Sequence, residues 1–183
     1  VFYVDADERV TPELREEIKS VISNQEAVVS AYKIPRKNFY FGNNEWPYIE
    51  NVERLFKKNA LKGWKGQIHE SPTFDGVPGK LNGFLIHYTH RDLSSMVEKT
   101  IEWSKVEAKL RFEAGHPPVF WWRFPRMMLG EFYRSYIKQN GWRAGTVGII
   151  ESIYQAFSIF VTYARLWEMQ KNRNQESGIK NQE

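Results

Sequence analysis

The sequence contains no cysteine. This absence excludes a thiolate nucleophile, a zinc site built on thiolates and a disulfide framework. The excess of one sign of charge is also small, because the sequence has 26 Lys and Arg and 22 Asp and Glu, which gives a net charge of +4. So small an excess allows anionic partners such as phospholipids or nucleotide phosphates, but it is not typical of a nucleic-acid-binding protein. No nucleic-acid partner is therefore expected.

The chain also lacks an initiating methionine and a signal peptide. It begins inside a short apolar run that has the pattern of a buried strand, so we expect it to be a fragment whose N-terminal half is absent. Hydrophobic residues make up 42% of its 183 residues, and aromatic residues make up 15%. This composition is sufficient for a folded core and argues against general disorder.

The first half of the chain alternates between strand patterns and one helix pattern. Val1–Val4 is predicted to be a strand buried on both faces. Thr11-Pro12-Glu13 is a helix-start signal, and the helix is expected to end near Ser23. The later predictions are a strand from Val28 to Ile34 stopped by Pro35, an aromatic loop from Arg36 to Pro47, and strands at Arg54–Phe56 and Phe84–Tyr88.

From Asp92 onward, apolar residues recur at spacings of three and four, which is typical of helices. We expect a helix capped by Asp92, an aromatic helical stretch over 119–139 interrupted at Pro125, and a long helix over 146–170. The predicted domains are 1–91, a mixed α/β unit; 92–170, a helical extension; and 171–183, a disordered polar tail.

Two carboxylates one residue apart, Asp5 and Asp7, follow the first apolar run. Hard divalent cations such as Mg²⁺ or Mn²⁺ prefer oxygen ligands and share their other positions with water and substrate phosphates. Two carboxylates buried this close together cost free energy unless a cation neutralises them. The alternative is a solvated turn whose charge favours the start of the next helix. The motif alone is compatible with both.

Several motifs then occur in a characteristic order. They are Phe2–Val10 with Pro12–Leu14, Arg36–Asn38 with Gly42, Glu53–Phe56, Trp64-x-Gly66, His69-Glu70 and Leu81–His90. This ordered set resembles the family 2 glycosyltransferases, and most of all the bacterial subgroup related to lipopolysaccharide-core glucosyltransferases. The resemblance implies the C-terminal part of a GT-A fold, a mixed α/β sheet followed by a helical extension. It also implies transfer of a sugar, by default from a UDP-hexose, to a saccharide or lipid-linked acceptor in cell-envelope glycan synthesis.

The resemblance implies roles for individual residues. Asp5, Asp7 and His87 would hold Mg²⁺ or Mn²⁺ against the leaving diphosphate. Glu70 would be the general base that takes the proton of the acceptor hydroxyl, so that in-line attack inverts the anomeric centre. The residues expected to bind substrate are Arg36, Arg54, Trp64 and His69.

Each of these roles has a simpler alternative. His87 could be a hydrogen-bonded histidine at a strand end, and Glu70 could cap a loop while Asp75 acts as the base. Trp64 could be a core residue, and the two arginines could form surface salt bridges. For the whole protein, the competing functions are a metal-dependent phosphoesterase and a non-catalytic, membrane-associated module.

The helical end mixes aromatic and basic residues, as interfacial membrane elements do, most densely in Phe120–Met128. The uncharged stretch from Ser152 to Ala164 is shorter than the ~20 residues that a membrane span needs. A polar stripe marks the same helix, formed by Glu151, Gln155, Ser158, Thr162 and Arg165. The helix is therefore expected either to pack on protein or to lie in the membrane surface. The resemblance favours peripheral contact at the cytoplasmic, inner face of the membrane.

Overall fold

A computed structural model describes residues 1–23, 29–66 and 70–180, with side chains as far as residue 173. The chain divides into two compact units, Val1–Arg91 and Asp92–Glu183. The first unit contains β1 (Glu8–Val10), α1 (Pro12–Ser23), β2 (Ala31–Tyr40), β3 (Asn44–Glu45), β4 (Glu50–Phe56), β5 (Leu61–Lys65), β6 (Ser71–Phe74), β7 (Pro78–Lys80) and β8 (Leu85–Tyr88). The second contains α2 (Leu93–Glu113), α3 (Arg123–Tyr133), a π-helical turn (Arg134–Lys138), a 3₁₀ turn (Gly141–Ala144) and α4 (Gly145–Lys180). A mixed sheet followed by helices confirms the predicted fold class.

The longest strand, β2, organises the six-stranded sheet of the first unit. It pairs antiparallel with β3 and β4 and parallel with β7 and β8, and β1 pairs antiparallel with β8. A separate two-stranded antiparallel sheet consists of β5 and β6. The functional residues proposed from the sequence are thereby distributed over two sheets.

The prediction that Pro35 stops the second strand is wrong. Strand β2 begins at Ala31, continues through Pro35 and ends at Tyr40. Pairing with β7 covers residues 31–33 and pairing with β8 covers residues 36–39, so Pro35 lies between the two parallel partners. A missing backbone N–H is tolerated where no ladder bond is required. The predicted loop 36–47 is correspondingly a strand, a turn and the short strand β3; Val28 lies outside the described residues.

The first helix and the sheet enclose the core of the first unit. Thr11 accepts a hydrogen bond at its Oγ1 from the Leu14 N–H (3.3 Å), as expected for the residue that caps a helix. Six buried side chains form the core: Leu14, Ile18, Ile34, Leu55, Leu81 and Leu85. No full strand forms at Val1–Val4, and Val1 and Val4 are exposed rather than buried. The segment still lies along β4, through a bridge between Phe2 and Leu55 and a hydrogen bond from the Tyr3 N–H to the Arg54 carbonyl oxygen.

In the helical unit, Asp92 caps α2 as predicted, because its Oδ1 accepts the Ser95 N–H at 2.8 Å. Pro125 does not interrupt a helix. It lies in the first turn of α3, where the missing N–H has no intrahelical partner to lose. Helix α4 continues through residues 171–180, where a disordered tail was expected. The buried cluster of this unit consists of Ala108, Val119, Tyr163 and Leu166.

Candidate functional site

The acidic turn, Asp5–Glu8, leads directly into β1. The Glu8 N–H donates to the Asp5 carbonyl oxygen at 3.0 Å, and the Glu8 carboxylate accepts the Asp5 N–H at 3.1 Å. These two bonds close the turn. Pairing of β1 with β8 then sets Glu8 opposite His87, and pairing of β8 with β2 sets His87 beside Asn38. The sheet therefore brings together groups that are far apart in sequence.

Asp7 and His87 meet at this site. His87 Nε2 lies 3.4 Å from Asp7 Oδ2, and its Nδ1 lies 2.8 Å from Oδ1 of the buried Asn38. The ring therefore contacts Asp7 through one nitrogen and Asn38 through the other, and the tautomer decides which nitrogen donates. Burial, and then the charge of Arg36, lower the pKa of His87, although Asp7 and Glu8 oppose this. The neutral form of His87 is therefore favoured.

A network of ion pairs lies next to this pair and is centred on Glu8, whose side chain is fully buried. Its Oε1 accepts hydrogen bonds from Arg36 and Arg54, both at 2.9 Å. Arg36 also pairs with Glu50 at 2.5 Å, and Arg54 pairs with Asp5. Buried carboxylates and guanidinium groups are tolerated only when they are paired in this way.

Opposing effects act on the two central groups of the network. Burial by itself raises the pKa of Glu8, but the hydrogen bonds from the Asp5 backbone and from Arg36, with the charges of Arg54 and Arg36, lower it overall. Burial opposes the charge of Arg36, yet its hydrogen bonds to Glu50 and Glu8 raise its pKa. Both groups therefore stay ionised, and the network is a fixed array of charges.

The three predicted metal ligands are not assembled into one group. Asp7 and His87 lie together, whereas the Asp5 carboxylate is held by Arg54. Among the described residues, there is no group of three or more His, Asp or Glu side chains placed to share an ion. Two adjacent ligands at about 2.1 Å from an Mg²⁺ ion lie about 3 Å apart, and the 3.4 Å between Asp7 and His87 is close to this. The pair fits an ion that takes its remaining ligands from water and phosphate.

The two predicted arginines are in ion pairs, as the simpler alternative proposed, but these pairs are buried rather than on the surface. The Arg36 and Arg54 side chains are only 17% and 14% exposed. The Nε–H of Arg54 is buried and has no acceptor among the described residues. The pairing of Arg54 with Asp5 and Glu8 thus leaves one of its donors unsatisfied.

The remaining predicted residues lie around the small β5–β6 sheet. Trp64 in β5 makes edge contacts with Tyr3 and Phe56, at ring-centroid distances of 5.0 and 6.1 Å. Glu70 is exposed and immediately precedes β6. The rival base Asp75 is exposed and pairs with Lys62 at 2.8 Å. His69 lies outside the described residues.

Sequence reasoning assigned no role to two residues that organise the site, Glu8 and Asn38. Glu8 entered the sequence analysis only as a member of the Phe2–Val10 motif, but it is the common partner of both arginines. Two arginines on neighbouring strands need counter-ions, and this requirement is the signal that could have identified Glu8 from the sequence. Asn38 lies two residues after Arg36, so the two side chains project to the same side of β2. That alternation could have identified it.

Comparison with known proteins gave relatives but no family model and no solved structure that matches. The chain is 26% identical over 177 residues to the lipopolysaccharide core biosynthesis glycosyltransferase LpsC of Rhizobium meliloti (strain 1021), covering 91% of the chain and 63% of LpsC. It is also 26% identical to uncharacterized glycosyltransferases of Rickettsia typhi (95% of the chain, 64% of the relative) and Rickettsia prowazekii (92% and 62%). The chain thus spans just under two thirds of the length of these curated relatives. It is a homologue of bacterial glycosyltransferases, one of which is named for lipopolysaccharide-core biosynthesis.

Proposed function

We propose that this chain carries part of the active site of a metal-dependent, inverting family 2 glycosyltransferase. The enzyme moves a hexose from a nucleotide-diphosphate donor, by default UDP-hexose, to a saccharide or lipid-linked acceptor. The names of the relatives support sugar transfer. The reaction would belong to cell-envelope glycan synthesis on the cytoplasmic side of the inner membrane.

The observation that carries the proposal is the pairing of Asp7 with His87. A carboxylate oxygen and an imidazole nitrogen 3.4 Å apart are both ligands that a divalent cation accepts, and burial favours the neutral imidazole, which is the form that coordinates. Asn38 fixes the ring orientation from the other side, as the outer partners of metal-bound histidines do. The local charges agree, because Asp5, Asp7, Glu8 and Glu50 outnumber by one the three arginines Arg36, Arg54 and Arg9, the last of which binds carbonyl oxygens of the same turn. This remaining negative charge favours a bound cation.

Asp7 and His87 would hold Mg²⁺ or Mn²⁺, with Asp5 as the third ligand of the motif. When bound, such an ion supplies Lewis-acid stabilisation of the charge that develops on the departing diphosphate. Glu8 positions this region, since it closes the turn through the Asp5 N–H and anchors both arginines. The turn can therefore present Asp7 without rearranging its backbone.

The two arginines would bind the donor diphosphate. Guanidinium groups recognise phosphate oxygens through several parallel donors. Arg54 is the better placed, because its Nη2 already contacts Asp5 of the motif and its Nε–H has no acceptor among the described residues. Arg36 is held by two carboxylates and supports the site mainly through its charge.

The acceptor side would be formed by the β5–β6 hairpin. Glu70 takes the proton of the attacking hydroxyl, and attack from the face opposite the leaving group inverts the anomeric centre. Trp64 offers an aromatic surface in the same hairpin, and His69 adjoins Glu70 in sequence. Exposure of Glu70 leaves it accessible to an incoming hydroxyl.

The test uses the complete protein that carries this sequence. Titration of UDP with and without Mn²⁺ should show that the two ligands bind more tightly together. Asp7→Asn and His87→Gln should remove this linkage, whereas Asp75→Asn, which changes an exposed acid in a surface ion pair, should retain it. Unlinked binding in the unaltered protein would favour a non-catalytic module.

A transfer assay separates the remaining alternative. Incubation with UDP-hexose and a saccharide acceptor should give glycosylated product, and EDTA should abolish it. Release of phosphate without transfer to the acceptor would instead support a phosphoesterase and contradict the proposal.

A further inference from the structure

Besides its apolar core, the helical unit buries several polar side chains and exposes many large apolar ones. Its buried polar residues are Thr100, Ser104, Ser135, Glu151, Ser152 and Thr162. Its large exposed apolar side chains are more numerous, and they extend over α2, the segment before α3, α3 itself, the π-helical turn and α4. Exposed apolar side chains that gather on one face mark an interaction site, whereas singly scattered ones are normal.

The buried face of α4 combines small and hydroxyl-bearing side chains near its start with the larger Tyr154, Tyr163 and Leu166. Ser152 Oγ donates to the Gly148 carbonyl oxygen at 2.7 Å and lies 3.1 Å from Ser135 Oγ, whose hydroxyl can donate in return. At Gly148, an added Cβ would lie only 1.8 Å from the Gly141 carbonyl oxygen, so the backbones approach closely. Helices that pack through small residues and hydrogen bonds leave their large apolar side chains free to face outward, which is typical of helices in lipid.

The outward face of α4 is one continuous apolar stripe. It consists of Ile150, Ile153, Phe157, Phe160 and Trp167, all exposed. The spacings of three, four, three and seven residues place these side chains on one side of the helix. At 1.5 Å per residue the stripe is about 25 Å long. By length and composition alone, the helical segment 141–173 is long and apolar enough to cross a membrane. Only 28% of its most apolar stretch of 18 residues is buried within the structure.

A basic and aromatic segment, residues 120–143, precedes this helix. It contains five Lys or Arg and one acid, Glu131, so its net charge of +4 equals that of the whole chain. Cations stack on aromatic rings at three places in it: Arg123 on Trp122, Lys138 on Tyr133 and Arg143 on Trp142. Trp121 is 80% exposed. Rings of this kind settle at lipid headgroups, and the cations attract anionic lipid.

We propose that the helical unit is seated in an anionic lipid membrane, with the α4 stripe against the acyl chains and segment 120–143 among the headgroups. Charge complementarity favours lipid over a second copy of the chain, because two segments of charge +4 repel each other. This attachment goes beyond the sugar-transfer proposal and is independent of it, since lipid binding requires neither Asp7 nor His87.

The absence of cysteine makes a direct test possible, because a single introduced thiol can be labelled with an environment-sensitive fluorophore. Leu129→Cys and Ile153→Cys place the label on α3 and on the α4 stripe, at positions 68% and 57% exposed. Val77→Cys is the matched control, 78% exposed in the other unit. Vesicles of phosphatidylcholine with phosphatidylglycerol should shift the emission of both helical labels to the blue and leave the Val77→Cys label unchanged.

The charge contribution is measured by vesicle flotation. Arg126→Gln and Arg143→Gln should each weaken binding to the anionic vesicles by about fivefold, whereas Arg15→Gln on α1 should not. Phosphatidylcholine alone should bind more weakly than the mixture. No blue shift with either vesicle, an equal shift at position 77, or a shift without lipid that grows with protein concentration would overturn the proposal; the last outcome would identify a second copy of the chain.

Discussion

The two units of this protein bury polar groups of different kinds. In the sheet unit, the buried polar side chains are Glu8 and Asn38, and Glu8 is surrounded by two arginines. In the helical unit, most of those described are hydroxyl groups, and large apolar side chains face outward. Thr100, Ser135 and Ser152 bond across to a neighbouring element, whereas Ser104 and Thr162 bond to their own helix. The first arrangement holds charge in a fixed position, and the second links helices through neutral hydrogen bonds.

The comparison shows how burial relates to function in each unit. An ion-pair network costs desolvation free energy that its attractions only partly return, so stability alone does not explain its retention. Beside Asp7 and His87, the network fixes the turn that carries Asp7. The hydroxyl contacts of the helical unit cost less and contribute little charge. The difference in buried groups is consistent with the two proposals made above, sugar-transfer chemistry in the first unit and membrane attachment in the second.

The largest expected effect concerns this assignment of chemistry. Glu70→Gln in the complete protein should lower the turnover of sugar transfer by about 10²–10⁴-fold, because the acceptor hydroxyl loses its proton acceptor. Vesicle binding should not change, since the substitution lies in the other unit. Asp75→Asn serves as the control. Near-normal turnover in Glu70→Gln with loss of turnover in Asp75→Asn would transfer the role to Asp75.

Removal of the central charge of the network tests the sheet unit next. Glu8→Gln keeps the side-chain volume but leaves Arg36 and Arg54 without their common partner, and breaking such a buried pair costs about 3–5 kcal/mol. Chemical denaturation measures this loss. Glu16→Gln, which alters a solvent-exposed ion pair on α1, should leave the free energy of unfolding unchanged. Equal stability of both variants would contradict the structural role of Glu8.

The same variant carries a pH signature. The pKa of Glu8 is lowered in the fold because its hydrogen bonds and the arginine charges outweigh burial. Its stabilisation is therefore fully present above the unfolded value of about 4.5 and is lost as the pH falls. The difference in unfolding free energy between Glu8→Gln and the unaltered chain should shrink below that pH. A difference that stays constant down to pH 3 would exclude this linkage.

A pair of glycines tests the close packing of the helical unit. Gly148→Ala should destabilise by about 1–3 kcal/mol, because the new methyl group would clash with the Gly141 carbonyl oxygen. Gly130→Ala in α3 meets nothing within 4 Å and should be neutral or stabilise by up to about 1 kcal/mol. Thermal unfolding compares the two variants. Similar effects at both positions would mean that α4 does not depend on this contact.

The smallest expected effect concerns a buried hydroxyl. Tyr154 donates to the Met96 carbonyl oxygen at 2.7 Å and lies 2.6 Å from Thr100 Oγ1. Tyr154→Phe should cost about 1 kcal/mol, the usual net value of a buried hydrogen bond. Tyr133→Phe, at an exposed ring, is the matched control. If the two variants were equally stable, the polar contact between α2 and α4 would make no measurable contribution to the free energy of unfolding.

Local patterns were sufficient wherever the signal lay within a few residues. The caps at Thr11 and Asp92 are formed as predicted, because a cap needs only a side-chain oxygen and the N–H groups of the next turn. The prediction that Pro35 ends the strand failed because a strand tolerates proline only where no neighbouring strand needs the missing N–H. The parallel neighbours of β2 come from residues 78–88, far along the chain. The strand predicted at Val1–Val4 failed for the same reason, since its partners are set by the whole sheet.

The sequence by itself determined the mixed α/β order, the absence of thiol chemistry, the division of patterns near Asp92 and the resemblance that led to sugar transfer. Only the tertiary structure placed His87 against Asp7, made Glu8 the common partner of two arginines and showed that α4 turns its apolar stripe outward. The spacing of apolar residues along the sequence shows which residues share a face of one helix or strand. Which face is buried, and which distant charge it meets, depends on the packing of elements that lie far apart along the chain.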